Sequence, residues 1–130
     1  MKTIEVVAAI IIKNNKFLCC QRGNYGDIPL KWEFPGGKIE NFETKEKALI
    51  REIKEELNVE IYNLKFFKTV NCDYPDFHLI MHSYLCEIID EEIDLQVHVN
   101  SRWLEKEELL TLDWALADLP IVFDLINDKR

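Results

Sequence analysis

Residues 36–59 read GGKIENFETKEKALIREIKEELNV, and no other stretch restricts the chain as tightly. A glycine pair opens onto a run without Gly or Pro in which Ala48, Leu49, Ile53 and Leu57 recur at helical spacing. That spacing predicts a helix over about Thr44–Asn58. Thr44 suits the N-cap because its hydroxyl accepts from an otherwise unpaired amide of the first turn. Lys47 stands where a capping box would place Glu or Gln, so the box is incomplete. At roughly 100° per residue, Glu52, Glu55 and Glu56 gather within about 100° of arc beside the apolar stripe.

Acids spaced at i+3 and i+4 repel one another by a few tenths of a kcal/mol per pair on an exposed helix. A bound hard cation reverses that sign. Carboxylate oxygens are the ligands Mg²⁺ or Mn²⁺ prefers, and Mg²⁺ commonly fills its shell with waters and substrate phosphates. The pattern therefore points to a phosphorylated substrate. The alternative is a solvated face in which Lys45, Lys47 and Lys54 screen the acids.

The flanking residues bear on that choice. Gly37, five residues, Glu43, seven residues, Arg51-Glu52, apolar Ile53, one residue, Glu55-Glu56, one residue, a turn residue and apolar Val59 together resemble the Nudix box. The match departs at Asn58, where the family carries glycine. Asn is the next most tolerant residue for the left-handed conformation that ends a helix, so a normal stop is expected. The resemblance implies that Glu52, Glu55 and Glu56 bind divalent metal, with the Gly36 carbonyl facing it. It also implies that Glu43 and Arg51 brace loop and helix.

With 24 acids against 16 bases the net charge is −8, which argues against a nucleic-acid polymer as partner. A free nucleotide remains compatible, because a bound metal reverses the local field. The length of 130 residues fits a single domain, expected over 1–130. Cys19, Cys20, Cys72 and Cys86 have no C-x-x-C spacing, and adjacent Cys19 and Cys20 should point to opposite faces of a strand. Free, buried or half-buried thiols are expected, and with them a reducing cytoplasm. The apolar run Ile4–Ile12 is too short to span a bilayer, and no membrane partner is expected.

Ile4–Lys13 reads as a strand buried on both faces, and Asn14-Asn15 as a tight turn into a second strand at Phe17–Gln21. Arg22 closes that strand, either as a surface charge or as a guanidinium offered to phosphate. Asn24–Lys31 reads as a surface loop. Ile61–Asn71 and His78–Ile89 should pair as strands about a turn at Asp73–Phe77. His78, His82 and His98 lack metal-binding spacing and are expected as satisfied or exposed imidazoles. A short strand at Trp103–Glu105, a small helix at about Lys106–Leu110 and a helix at Leu119–Asn127 complete the chain. Pro120 in the first turn of that last helix favours Asp118 as its N-cap.

The run KWEFPGGKIE, residues 31–40, resembles the MutT branch of the Nudix hydrolases in particular. That resemblance implies an α/β fold with a mixed β-sheet sandwiched between helices. It implies Mg²⁺-dependent hydrolysis of a nucleoside triphosphate to monophosphate and pyrophosphate. The candidate catalytic set is Glu55, Glu56, Glu43, Arg51 and Lys38, with Lys38 near the phosphates. The candidate substrate-binding set is Arg22, Glu33, Phe34, Pro35, Gly36 and Asp118, with Phe34 and Asp118 beside the nucleobase. Core packing is the alternative for Trp32 and Phe34.

The EFPGGK run favours an oxidised purine such as 8-oxo-dGTP, whereas ALADLP, residues 115–120, also resembles enzymes that cleave CTP. Many relatives carry Glu-His a few residues before Arg-Trp, with that Glu as a further metal ligand or base. Here Val97-His98 occupy the place, and valine neither takes a proton nor binds Mg²⁺. The base is then a box carboxylate, Glu55 or Glu56, or else Glu91 or Glu92 brought in by a shifted loop. A non-hydrolysing nucleotide sensor on the same fold is the competing class. A monomer and a homodimer are equally compatible with the sequence.

Overall fold

The computed structural model describes residues 1–89 and 92–128. Asp90 and Glu91, the first residues of the acidic loop and one of the alternative bases, lie outside them.

A mixed sheet has helical cover on both faces, as expected for an α/β sandwich. Strand β1, Lys2–Lys13, turns at Asn14-Asn15 into β2, Lys16–Gln21. Both turn residues have positive φ, 53° and 62°, the geometry that lets a two-residue turn follow the twist of its strands. Short strands β3, Trp32–Glu33, and β4, Gly36–Lys38, precede helix α1, Lys45–Leu57. The hairpin β5, Ile61–Tyr74, and β6, Phe77–Ile88, follows, then β7, Asn100–Leu104, a 3-10 helix at Lys106–Thr111 and helix α2, Leu119–Asn127. Along the sheet the order is β3-β2-β1-β6-β5, with β4 on β1 and β7 on β2. β1 runs parallel to β6 and antiparallel to β2 and β4.

The unbroken apolar run of β1 is explained by this central place. Val7, Ala9 and Ile11 pack on the α1 side with Leu49, Ile53 and Leu57, while Ala8 and Ile10 pack on the α2 side with Ile121, Val122 and Leu125. Cys20 belongs to the first cluster and Cys19 to the second, the opposed placement expected of neighbours in a strand. All four cysteines are free, and burial pushes the Cys19 and Cys86 thiols up to about 12.

Helix α1 begins and ends as its sequence dictates. The Thr44 hydroxyl accepts from Lys47 N–H at 3.1 Å, and Asn58 takes the left-handed conformation at φ 56°. The turn after β5 is tighter than expected, only Pro75 and Asp76 remaining outside the strands. Stacking of Tyr74 on Phe77, centroids 4.9 Å apart, carries the pairing to the end of the hairpin. Among the described residues, no helix is long and apolar enough to cross a membrane.

Phe42 is fully exposed and sits at φ 69° in the loop before α1. Bonds from Glu43 N–H to Glu40 O, 3.2 Å, and from Glu40 N–H to Glu43 Oε1, 3.0 Å, enforce this bend. A left-handed non-glycine residue costs about 1–2 kcal/mol, and this side chain is too exposed to recover much of it by burial. Phe42→Gly is therefore expected to raise the unfolding free energy by about 1 kcal/mol after glycine's own entropic cost. Urea denaturation checks it; an unchanged or lower midpoint would show that Phe42 makes a contact worth the strain.

Candidate active site

The two strands that flank β1 on one side diverge. β4 pairs with Val6–Ala8 and β2 with Ile12 and Lys13. At the fork, Ala9 N–H donates to the Pro35 carbonyl at 2.8 Å. A cleft of about 390 Å³ opens beside this split. The wall built by the paired strands β1 and β6 is apolar, with Ile4, Val6, Leu79 and Met81. Its polar groups come from elsewhere: Arg22 after β2, Glu33 from β3, Gly36 and Gly37 from β4, Glu56 from α1 and Asp118 before α2.

Gly36 and Gly37 allow α1 to approach the sheet. A β-carbon at Gly36 would overlap the Val7 carbonyl oxygen, and one at Gly37 would run into the Glu52 carboxylate. Without side chains there, the acidic face of α1 lies directly against β4. Arg51 fixes the arrangement. Its Nε and Nη2 grip Glu43 at 2.7 and 2.9 Å, Nη1 reaches Glu52 at 3.0 Å, and Nη2 donates to the Lys38 carbonyl at 3.2 Å. These bonds, chiefly from Arg51 and then from the Glu40 N–H, lower the Glu43 carboxyl to about 2.

The three box acids are unequal. Glu55 points outward, its side chain 59% exposed and 3.4 Å from Arg51 Nη1. Glu52 and Glu56 turn inward, close enough that the Glu52 charge acts on the Glu56 carboxyl. Glu56 Oε1 is buried with no partner. Burial, then the charges of Glu52 and Glu33, push the Glu56 carboxyl up to about 8, against an opposing hydrogen bond from the Gly36 backbone. Among the described residues no three His, Cys, Asp or Glu side chains are gathered as a ready metal cluster. A divalent cation nonetheless fits the Glu52–Glu56 pair, because hard oxygens meet there, one of them unsatisfied, and their mutual repulsion needs a counter-charge.

The segment holding Val97 and His98 is tied to this helix. Asp94 N–H donates to Leu57 O at 3.0 Å and Gln96 N–H to Glu56 O at 2.9 Å, satisfying carbonyls that the helix end leaves open. Val99 N–H donates to Gln21 O at 3.0 Å. Val97 stays half-exposed at the cleft edge, while the His98 ring is buried and its Nε2 lies 2.9 Å from Glu33 Oε2. The other Glu33 oxygen accepts from Arg22 Nη1 at 3.1 Å. Glu92 is exposed.

Phe34 is buried at the cleft, its ring centroid 4.8 Å from that of Trp114, so it belongs to both the core and the lining. Trp32 is buried in the same cluster. Pro35 is fully buried and contributes through its carbonyl, and Lys38 is exposed beside a separate shallow depression with Lys2 and Phe42. Asp118 stands at the N-cap position of α2 and lines the cleft, as expected, but its carboxyl bonds elsewhere. Its side chain does not cap α2; Oδ2 accepts instead from the Phe34 backbone N–H at 2.9 Å, across 84 residues of sequence. A buried amide needs an acceptor more than a solvent-facing helix end does, and this tertiary bond takes the carboxyl. Burial, then the Glu33 charge, push Asp118 well above the usual carboxylate range, and the Phe34 amide only partly offsets this.

The Glu33–His98 pair has no local signature, since 65 residues separate its members. The apolar wall was more accessible to sequence reasoning, since strand alternation puts Ile4 and Val6 on one face of β1.

A family model described as NUDIX domain matches residues 2–125. The CTP pyrophosphohydrolase of Escherichia coli K12 is 36% identical over 124 residues, covering 94% of this chain and 90% of that protein. The 8-oxo-dGTP diphosphatase of the same organism is 29% identical over 126 residues, covering 96% and 98%. The solution structure of DNA mismatch repair protein MutT from methicillin-resistant Staphylococcus aureus 252 superposes with a TM-score of 0.78 at 40% identity, covering 98% of each chain. With the fold, the glycine-to-acid spacing and nearly the whole length in agreement, the chain belongs to the Nudix hydrolases.

Proposed function

We propose that this Nudix hydrolase cleaves a nucleoside triphosphate to the monophosphate and pyrophosphate, with Mg²⁺ as its metal and Mn²⁺ as a substitute. The observation that carries this is the inward Glu52–Glu56 pair, with one buried unpartnered oxygen, at the polar side of a cleft whose opposite wall is apolar. A nucleobase suits that wall between Phe34 and Met81, and a triphosphate suits the side bearing Arg22 and the half-buried glycines Gly36 and Gly37.

Glu52 and Glu56 would hold the metal, with Glu55 and the Gly36 carbonyl as further ligands. When bound, the metal supplies charge neutralisation at the phosphates and a lowered pKa for coordinated water. Glu56 accepts the proton of the attacking water. The water oxygen bonds to an inner phosphorus, the bridging P–O bond breaks, and the electron pair leaves on the departing phosphate oxygen. Arg22 presents its guanidinium to the phosphates, whereas Lys38, exposed at a depression separate from the cleft, takes no part in the step. Glu43 and Arg51 keep α1 in register with β4.

For the base, an oxidised purine such as 8-oxo-dGTP is the first choice, on the likeness to an 8-oxo-dGTP diphosphatase over 96% of the chain. The higher identity to a CTP pyrophosphohydrolase favours a cytidine nucleotide as the second. Pyrophosphate release from a panel of canonical and oxidised nucleoside triphosphates with Mg²⁺ tests both. One oxidised purine or one cytidine nucleotide is expected to exceed the rest by at least about tenfold in kcat/KM. Folded protein that binds nucleotide yet releases no pyrophosphate from any of them would leave a sensor, with Val97 in the place of the missing base. A single domain acting in the cytoplasm without a nucleic-acid or membrane partner completes the proposal.

A further inference from the structure

We infer that His98 is a positioning residue that holds Arg22 at the phosphate side of the cleft by way of Glu33. The inference rests on the proposed role of Arg22 and adds to it a residue that touches no substrate.

The His98 side chain is 2% exposed and bonds through Nε2 to Glu33 Oε2 at 2.9 Å. Glu33 Oε1 takes Arg22 Nη1 at 3.1 Å, and Arg22 Nε donates to the Ile28 carbonyl at 3.2 Å. A carboxylate only accepts, so Nε2 carries the proton in the His98–Glu33 bond. Three separate parts of the chain meet in this line: the segment tied to the end of α1, strand β3, and the residues that follow β2.

A purely structural role does not account for the histidine. Its Nδ1 is buried without a partner, a cost that a phenylalanine or leucine filling the same space would not bear. What the imidazole adds over those residues is one donor aimed at Glu33. Without it, Glu33 keeps one partner and its carboxylate can rotate, taking Arg22 with it. Charge pairs as exposed as Arg22–Glu33 gain little from Coulomb attraction alone, so their geometry depends on an ordered anchor.

The test uses two amide variants of similar size. The Nε2 of glutamine in His98→Gln falls where the imidazole Nε2 lay, whereas the shorter amide in His98→Asn falls near Nδ1 and cannot reach Glu33. His98→Gln is expected to keep KM for the preferred nucleotide within about threefold of the parent. His98→Asn is expected to raise it about tenfold with kcat within about threefold, the loss of one charge-assisted hydrogen bond. In a Glu33→Gln background the difference between the two variants should shrink to less than about twofold.

A role confined to packing predicts the opposite pattern: lowered thermal midpoints in both variants, KM unmoved, and effects that persist beside Glu33→Gln. Either that pattern or equal KM for the two variants overturns the inference. A ligand-free readout separates it from the fate of the proposed activity. The Arg22 Nε–H proton, observed by ¹H–¹⁵N NMR, should exchange slowly in the parent and in His98→Gln and at least about tenfold faster in His98→Asn. If the parent hydrolyses no nucleotide, the proposed function fails while this signal still decides the role of His98. Exchange at the same rate in all three proteins sinks it.

Discussion

Glu56→Gln is expected to lower kcat by about 10³-fold while leaving the protein folded. Glutamine keeps the shape and one acceptor oxygen, so the approach of α1 to β4 through Gly36 and Gly37 should survive. What it removes is the charge that holds a cation and the group that takes a proton from water. The interior position makes the expected loss large. Glu56 Oε1 is buried without a partner, and its carboxyl is already raised to about 8 by burial and by Glu52 and Glu33. Such a group gains most when a cation arrives, and it retains basicity that an exposed carboxylate lacks.

Glu55→Gln is the internal comparison. Glu55 is mostly exposed and meets Arg51 only at 3.4 Å, so a loss nearer tenfold is expected. Pyrophosphate release measures both, with circular dichroism for the fold and Mn²⁺ titration for the metal. Equal losses for the two variants would mean that the inward and outward acids exchange places on metal binding. Full activity in Glu56→Gln would remove Glu56 from the chemistry.

The parts of this site that could be foreseen are those whose causes are local. Thr44 and Asn58 bound α1 because capping depends on a residue and its nearest amides. The opposed faces of Cys19 and Cys20 follow from strand alternation alone. Pro120 announced the start of α2 with Asp118 at its N-cap position, yet the same local logic could not foresee where the Asp118 carboxyl bonds, because an amide 84 residues away takes it and helix propensities carry no knowledge of that. The Arg22–Glu33–His98 line is invisible for the same reason. Its members come from three elements, and each residue taken singly looks like surface charge or a satisfied histidine. Box spacing marked three equivalent acids, while the fork between β2 and β4 makes them unequal by leaving Glu55 outside and burying Glu56.

Asp118 yields the second large effect, and its sign can be worked out. Its folded pKa lies well above the ordinary aspartate range, with burial as the main cause. Between the two the folded chain binds more protons than the unfolded one, so this group's contribution to stability falls as pH rises from about 4 through the folded pKa. Asp118→Asn removes the ionisation while its amide oxygen can still accept from Phe34 N–H. The variant should therefore lose less stability than the parent between pH 4 and pH 8, and its advantage should vanish near pH 4. Asp118→Ala leaves that amide buried and unpaired, at a cost of about 1–3 kcal/mol at any pH. Urea midpoints across the pH range separate the three proteins; parallel curves for parent and Asp118→Asn would show that the carboxyl ionises freely in the fold. Function should divide differently. One carboxyl oxygen is committed to Phe34, which leaves the other for a nucleobase edge, and Asn fixes a donor there where Asp offers a donor when protonated and an acceptor when ionised. Asp118→Asn should then change the ranking of bases in the nucleotide panel even as it stabilises the fold, because the group that burdens folding at neutral pH is also the polar group set beside the apolar wall of the cleft.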